Sequence, residues 1–173
     1  MNDPIKGEII KDFGRGVVLR QPVQGNYEWV VSHLREGDQK EHDDAVADVD
    51  VSLWPAGILQ ATLWLNDELA AYWDSIIFAG KTAQYPMRAW AFSTTPVVEK
   101  HKIKFARMSK VVYDYLWTLE HAWVKHALVM PWDGYTRCLK WQKKYFDAEP
   151  IEHFTLNGEA YTAYTLARPE GEN

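Results

Sequence analysis

Residues 87–94 read Met-Arg-Ala-Trp-Ala-Phe-Ser-Thr, and residues 104–120 read Lys-Phe-Ala-Arg-Met-Ser-Lys-Val-Val-Tyr-Asp-Tyr-Leu-Trp-Thr-Leu-Glu. The first stretch alternates. Arg88, Trp90 and Phe92 fall on one face and Met87, Ala89 and Ala91 on the other, which is the period of a strand. In the second, Phe105, Met108, Val112, Tyr115, Leu116 and Leu119 recur at helical spacing, with Lys104, Arg107, Lys110 and Asp114 off that stripe. The apolar run Trp123–Met130 supplies a further strand, central by its composition. A strand, a long amphipathic helix and a second strand make a crossover unit of an α/β domain.

Beyond that unit, Pro131-Trp132-Asp133-Gly134 breaks the chain before a short helix, about Tyr135–Tyr145. Glu152–Thr155 and Ala160–Ala167 then flank Asn157-Gly158, which suits a tight hairpin turn. On the amino-terminal side, Thr62–Leu65 and Glu68–Phe78 form another hairpin about Asn66-Asp67. Further back, Val17–Leu19 reads as a first strand. Asn26 caps a helix to about Arg35, with Trp29, Val30, His33 and Leu34 on one face and Gly37 ending it. Asp38 with Glu41 resembles a capping box for an acidic helix to about Val46. A third helical piece covers Trp54–Gln60, with Pro55 in its first turn. Residues 1–13 and 168–173 read as ragged ends of a single domain, 1–173.

The length of 173 residues suits one domain with a sizeable core. A net charge of −5 argues against a general nucleic-acid binder, although Lys100, Lys102, Lys104, Arg107 and Lys110 cluster locally. Cys138 is the lone cysteine, so no internal disulfide forms. The start is polar, without a signal pattern, and no apolar run reaches the roughly 20 residues of a membrane helix. These features predict a soluble protein. The nine tryptophans suit a core, with some left for an interface.

The order of elements resembles the GNAT (N-acetyltransferase-like) superfamily over nearly the whole chain. His33-Leu34-Arg35-Glu36-Gly37-Asp38-Gln39-Lys40-Glu41, Trp90-Ala91-Phe92-Ser93-Thr94 and Lys140-Trp141-Gln142-Lys143-Lys144-Tyr145-Phe146 are similar to stretches in small GNAT-like proteins of short-tailed phages, some of them internal virion proteins. The resemblance implies a mixed, mostly antiparallel sheet of about six to seven strands flanked by about four helices. It implies acetyl-CoA or another acyl-CoA as cofactor, no metal, and a cofactor wedge between the fourth and fifth family strands. The family's pyrophosphate loop, Gln/Arg-x-x-Gly-x-Gly/Ala, aligns with His101-Lys102-Ile103-Lys104-Phe105-Ala106, followed by Arg107. Ala106 matches, but Lys104 stands for the key glycine and His101 for the leading residue. Two readings remain. Lys100, Lys102, Lys104 and Arg107 grip phosphate through their side chains, or they form the solvated start of a helix.

Family members carry a tyrosine acid on the short helix. The matching position holds Trp141, leaving Tyr135 and Tyr145 as candidate acids. Glu28, Asp74 and His126 are candidate bases, His126 reading as a core histidine. Cys138 reads as a packed residue rather than a nucleophile. The acidic run around His42 lacks metal-loop spacing and reads as a solvated helix face. The resemblance therefore implies a phage protein without efficient acetyl transfer. It would act by binding another protein, a virion component or a host enzyme, in the host cytoplasm or the virion, with no membrane partner. The alternative is an acyl-CoA-dependent N-acyltransferase with an atypical basic loop.

Overall fold

The structure, a computed structural model, describes residues 3–48, 59–78 and 87–169. In chain order the elements are β1 (Ile9–Asp12), β2 (Val17–Arg20), α1 (Asn26–Val31), α2 (Glu36–Asp48), β3 (Leu59–Leu65) and β4 (Glu68–Phe78). They continue with β5 (Met87–Thr94), α3 (Val97–Lys100), α4 (Lys102–Leu119), β6 (His126–Val129), α5 (Thr136–Phe146), β7 (Glu149–Leu156) and β8 (Glu159–Ala167). The strands form one sheet in the order β1-β2-β3-β4-β5-β6-β8-β7. All neighbours run antiparallel except β5 and β6, which are parallel and joined by the α3–α4 crossover. No helix among the described residues is long and apolar enough to cross a membrane.

The expected mixed, mostly antiparallel α/β sheet is present, with eight strands rather than six or seven. The additional strand is β1, which lies in the segment expected to be ragged and pairs with β2. Both hairpin turns follow their sequence. Asn66 and Asp67 take φ of 50° and 67°, Asn157 and Gly158 take 48° and 78°, the left-handed pair that matches the twist of the flanking strands.

The larger core lies between the sheet and α4. Ser109, Val112, Tyr113, Leu116 and Trp117 face inward from α4, at the i, i+3, i+4, i+7, i+8 spacing of a packed helix. The expected stripe is thus rotated slightly: Tyr113 and Trp117 lie at its centre, and Tyr115 at its margin. Trp90 packs edge-on to Trp73 and Tyr113, with ring centroids 5.3 and 5.9 Å away, and at 4.5 Å from Trp117. Within this layer Arg88 Nε lies 3.2 Å from Glu120 Oε2, both side chains buried. Ser75 Oγ and Trp90 Nε1 donate to Glu120 Oε1. A smaller core on the other face joins Val30 of α1 to Trp64, Leu69 and Tyr72.

Several local expectations are corrected. Asn26 does not cap α1, whose cap is Gly25. Its buried side chain instead accepts from the Val23 amide and donates to the Ile5 carbonyl, tying the β2–α1 loop to the amino-terminal segment. Helix α1 stops at Val31, and Gly37 lies inside α2 rather than ending α1. Gln60 and Leu59 belong to β3, whereas 54–58 of the expected third helix lie outside the described residues. Strand β6 is four residues long, so Trp123 precedes it and is 56% exposed. His126 is exposed at the start of β6 and is no core histidine.

Candidate functional site: the parting of two parallel strands

Among the described residues two pairs, Arg88 with Ala127 and Ala89 with Leu128, join β5 to β6. Beyond them β5 continues to Thr94 with no strand beside it on that side among the described residues. A strand edge carries backbone donors and acceptors that need partners when covered. At Thr94 the α1–α2 turn and the first turn of α2 provide them. The Arg35 amide donates to the Thr94 carbonyl at 3.0 Å, and the Thr94 amide donates to Asp38 Oδ1 at 3.1 Å. Thr94 Oγ1 donates to Asp38 Oδ2 at 2.8 Å and accepts from Arg35 Nε at 2.6 Å. Asp38 Oδ2 also accepts from Tyr135 Oη at 3.1 Å.

Helix α2 has no apolar stripe, and its sequence explains how it packs nonetheless. Asp38, Glu41 and Asp44 are three apart and share one face. That face turns inward, contrary to the expected solvated one: Asp38 and Asp44 are buried. Glu41 Oε1 accepts the Trp132 amide at 2.9 Å. Asp44 accepts from Tyr161 Oη at 2.8 Å, from Asn157 Nδ2 at 3.1 Å and from Lys40 Nζ. The row therefore spans the gap, from β5 at one end to β8 and its hairpin at the other. Burial pushes the Glu41 carboxyl up to about 8, whereas the Lys40 hydrogen bond holds Asp44 below the usual carboxylate range.

The candidate acids occupy different settings. Burial, then the Asp38 charge, push the Tyr135 phenol well above its usual value, so it is a poor proton donor at neutral pH. Tyr145, near the far end of α5, packs against the main core with Lys144 Nζ 5.2 Å from its ring centroid. Trp141 lies between them in sequence, stacked on Phe105 at 5.4 Å and donating from Nε1 to Ser109 Oγ at 2.8 Å. With Phe92, Phe105 and Met108 it borders an apolar cavity of about 40 Å³, room for a few water-sized spheres and not for a thioester arm. Cys138 lies on α5, partly exposed and near enough to Glu41 and Asp38 of α2 to feel their charges. Burial, then the Glu41 and Asp38 charges, raise its thiol, as its reading as a packed residue requires.

The basic stretch is helical from Lys102, two residues before the expected helix start at about Lys104. His101 caps α4, and Lys102, Ile103, Lys104, Phe105, Ala106 and Arg107 occupy its first turns. Lys100 Nζ donates to Glu68 at 2.7 and 2.8 Å, and His101 Nε2 lies 3.1 Å from the same carboxylate. Lys104 Nζ donates to the Arg15 carbonyl at 2.6 Å and to Asn66 Oδ1. Two of the four cations considered for phosphate are thus bonded, Lys100 to the start of β4 and Lys104 to the β3–β4 and β1–β2 turns. Lys102 and Arg107 are exposed. Of the candidate bases, Asp74 on β4 sits opposite Ala91, its carboxyl raised by burial. Burial and then Asp74 push the neighbouring Tyr72 phenol up to about 12. Tyr72 with Tyr27, Glu28 and Gln60 borders a second cavity, of about 250 Å³. Glu28 is exposed on α1. Among the described residues no group of acidic, histidine or cysteine side chains has the geometry to hold a metal.

Gly37 is buried beneath the Tyr135 ring, where an added Cβ would meet ring carbons at 2.4–2.6 Å. Gly37→Ala is therefore expected to destabilise the protein by about 1–3 kcal/mol, the usual cost of overpacking. A lowered thermal midpoint, recovered by Tyr135→Ala in the same chain, checks this.

No protein-family model matches the chain, and no curated protein sequence matches it. Solved structures do. An aminoglycoside N(6')acetyltransferase from Legionella pneumophila superposes with a TM-score of 0.57 at 14% identity, covering 91% of this chain and 94% of that one. AAC(6')-Ib in complex with ribostamycin and coenzyme A gives 0.61 at 13% identity, covering 88% and 94%. A GNAT-family acetyltransferase from Bacillus anthracis gives 0.57 at 10% identity, covering 94% and 100%. The fold of this chain is that of the GNAT acetyltransferases, over nearly its whole length. Its parted parallel strands are the feature that the sequence resemblance implied.

Proposed function

We propose that the chain uses an acetyltransferase-type fold as a protein-binding scaffold, without efficient acyl transfer, and that its partner is a virion component or a host protein. The observation that supports this reading is the occupation of the Thr94 backbone by Arg35 and Asp38. An extended cofactor arm entering between β5 and β6 would have to displace those bonds. Trp141 in place of a tyrosine acid, and Lys100 and Lys104 held by intramolecular bonds, point the same way. The phage side of the proposal rests on the resemblance of residues 33–41, 90–94 and 140–146. In the structure these stretches meet at this one place, through Asp38 with Thr94 and through Phe92 with Trp141.

The competing reading is an acyl-CoA-dependent N-acyltransferase. It is favoured by Asp74, a partly buried carboxyl with a raised proton affinity, the property of a general base. Coenzyme A bound to AAC(6')-Ib, on the same fold, also favours it. Calorimetric titration of the protein with acetyl-CoA separates the two. No saturable heat is expected up to about 1 mM, a binding free energy weaker than roughly −4 kcal/mol. Saturation at micromolar concentration, with thiol release on adding a primary amine, would overturn the scaffold reading. Cross-linking in disrupted virions against cross-linking in infected-host lysate distinguishes the two partner classes.

A further inference from the structure

Helix α2 is attached to the two sides of the divided sheet mainly by its carboxylates, with Lys40 adding an ion pair to Glu159 of β8. Asp38 holds the β5 side, through Thr94 and with Tyr135. Asp44 holds the β8 side, through Tyr161 and Asn157. Glu41, midway, has the Trp132 amide as its hydrogen-bond donor. The charged and titratable groups that face Glu41 come from three elements. From its own helix and the turn before it come Arg35, Asp38, Lys40 and Asp44; from α5 comes Cys138, and from β8 Tyr161. Arg35 is engaged by Asp38, Thr94 and Glu99, and Lys40 by Asp44 and Glu159. Among these groups no cation is left to Glu41 alone. Its two nearest carboxylates, three residues to either side, repel its charge, whereas a neutral carboxyl fits the place.

We propose that α2 is a proton-controlled strap across the parted strands, seated while Glu41 is neutral and released as Glu41 ionises. The proposal stands on the geometry of α2 and does not depend on whether the chain binds acyl-CoA. The sign follows from linkage. The seated carboxyl titrates at about 8 and the released one near its ordinary value of about 4.3. Glu41's own share of the hold is complete below about pH 4–5, while the ionised Asp44 contributes its share above its depressed value. The Glu41 share weakens through the range between those values and stops changing above about pH 8.

Cys138, on α5 and within reach of the Glu41 and Asp38 charges of the strap, is the lone cysteine, so a change in its reaction with a disulfide reagent such as DTNB reports release. Thiolate formation by itself accelerates labelling about tenfold per pH unit below pH 8. Strap release adds up to a further tenfold per unit in the wild type. Between pH 6 and 8 the wild type is thus expected to accelerate up to about a hundredfold more than Glu41→Gln, which keeps the acceptor for Trp132 but cannot ionise. Identical pH profiles for the two proteins would overturn the proposal. Hydrogen exchange of the α2 amides in the unmodified protein gives an independent reading. Protection that falls from pH 6 to 8 beyond intrinsic base catalysis supports the strap, and protection that tracks intrinsic catalysis alone rejects it.

Discussion

Glu120→Ala is expected to destabilise this protein by about 3–5 kcal/mol, the typical cost of leaving one member of a buried ion pair without the other. That is a large part of the roughly 5–15 kcal/mol that holds a domain together. Two donors, Ser75 Oγ and Trp90 Nε1, hydrogen-bond this carboxylate, and the Arg88 guanidinium supplies its counter-charge with Nε 3.2 Å from Oε2. Arg88 and Glu120 are both nearly inaccessible, at 2% and 4% exposure. Removing the acid leaves a guanidinium in an aromatic layer with no counter-charge. The expected result is a protein that is largely insoluble or melts many degrees lower. The pair Arg88→Met with Glu120→Leu removes both charges and is expected to recover most of the loss, because packed apolar groups replace buried ion pairs at little cost. Chemical denaturation of the three proteins checks this. A double variant no better than Glu120→Ala would show that the pair does more than satisfy itself.

The second large effect is expected at Asp38. Asp38→Ala strips acceptors from the Thr94 amide, the Thr94 hydroxyl, Tyr135 and Arg35 at once. Unsatisfied buried donors cost about 1–3 kcal/mol each, with partial relief from entering water, so a loss of about 3 kcal/mol is expected. Asp38→Asn keeps an acceptor for the Thr94 amide and is expected to lose less than half as much. Urea midpoints measure the difference, provided the slope of the transition is unchanged. Asp38→Ala also unseats the β5 end of α2, so Cys138 labelling is expected to quicken at every pH and not merely to shift its pH dependence. A midpoint within the error of the unmodified protein would remove the basis for regarding Thr94 as the closed mouth of the wedge.

Much of this architecture is legible in the order of residues alone. The crossover from β5 through α4 follows from a period of two giving way to one of 3.6, and both hairpins are announced by Asn-Asp and Asn-Gly. The site is less legible. Glu36–Asp48 carries too few apolar residues for a packed helix, and the ordinary reading of such a run is a solvated face. The spacing of Asp38, Glu41 and Asp44 is visible, but their partners come from residues 94, 132, 157 and 161, which no local pattern connects to α2. The same reason hides the role of Glu120, which reads as the end of a helix. It also leaves open whether Lys104 reaches a phosphate, where the structure turns it to Arg15 and Asn66.

The amino-acid sequence by itself determined most of the order of elements, β1 and α3 excepted, together with the turn geometry and the apolar stripe of α4, because each rests on interactions within a few residues. Tertiary structure alone decided that β5 and β6 part after two residue pairs, and that a row of carboxylates closes the opening. Whether a carboxylate is solvated or buried depends on donors brought from elsewhere in the chain, and only folding assembles those.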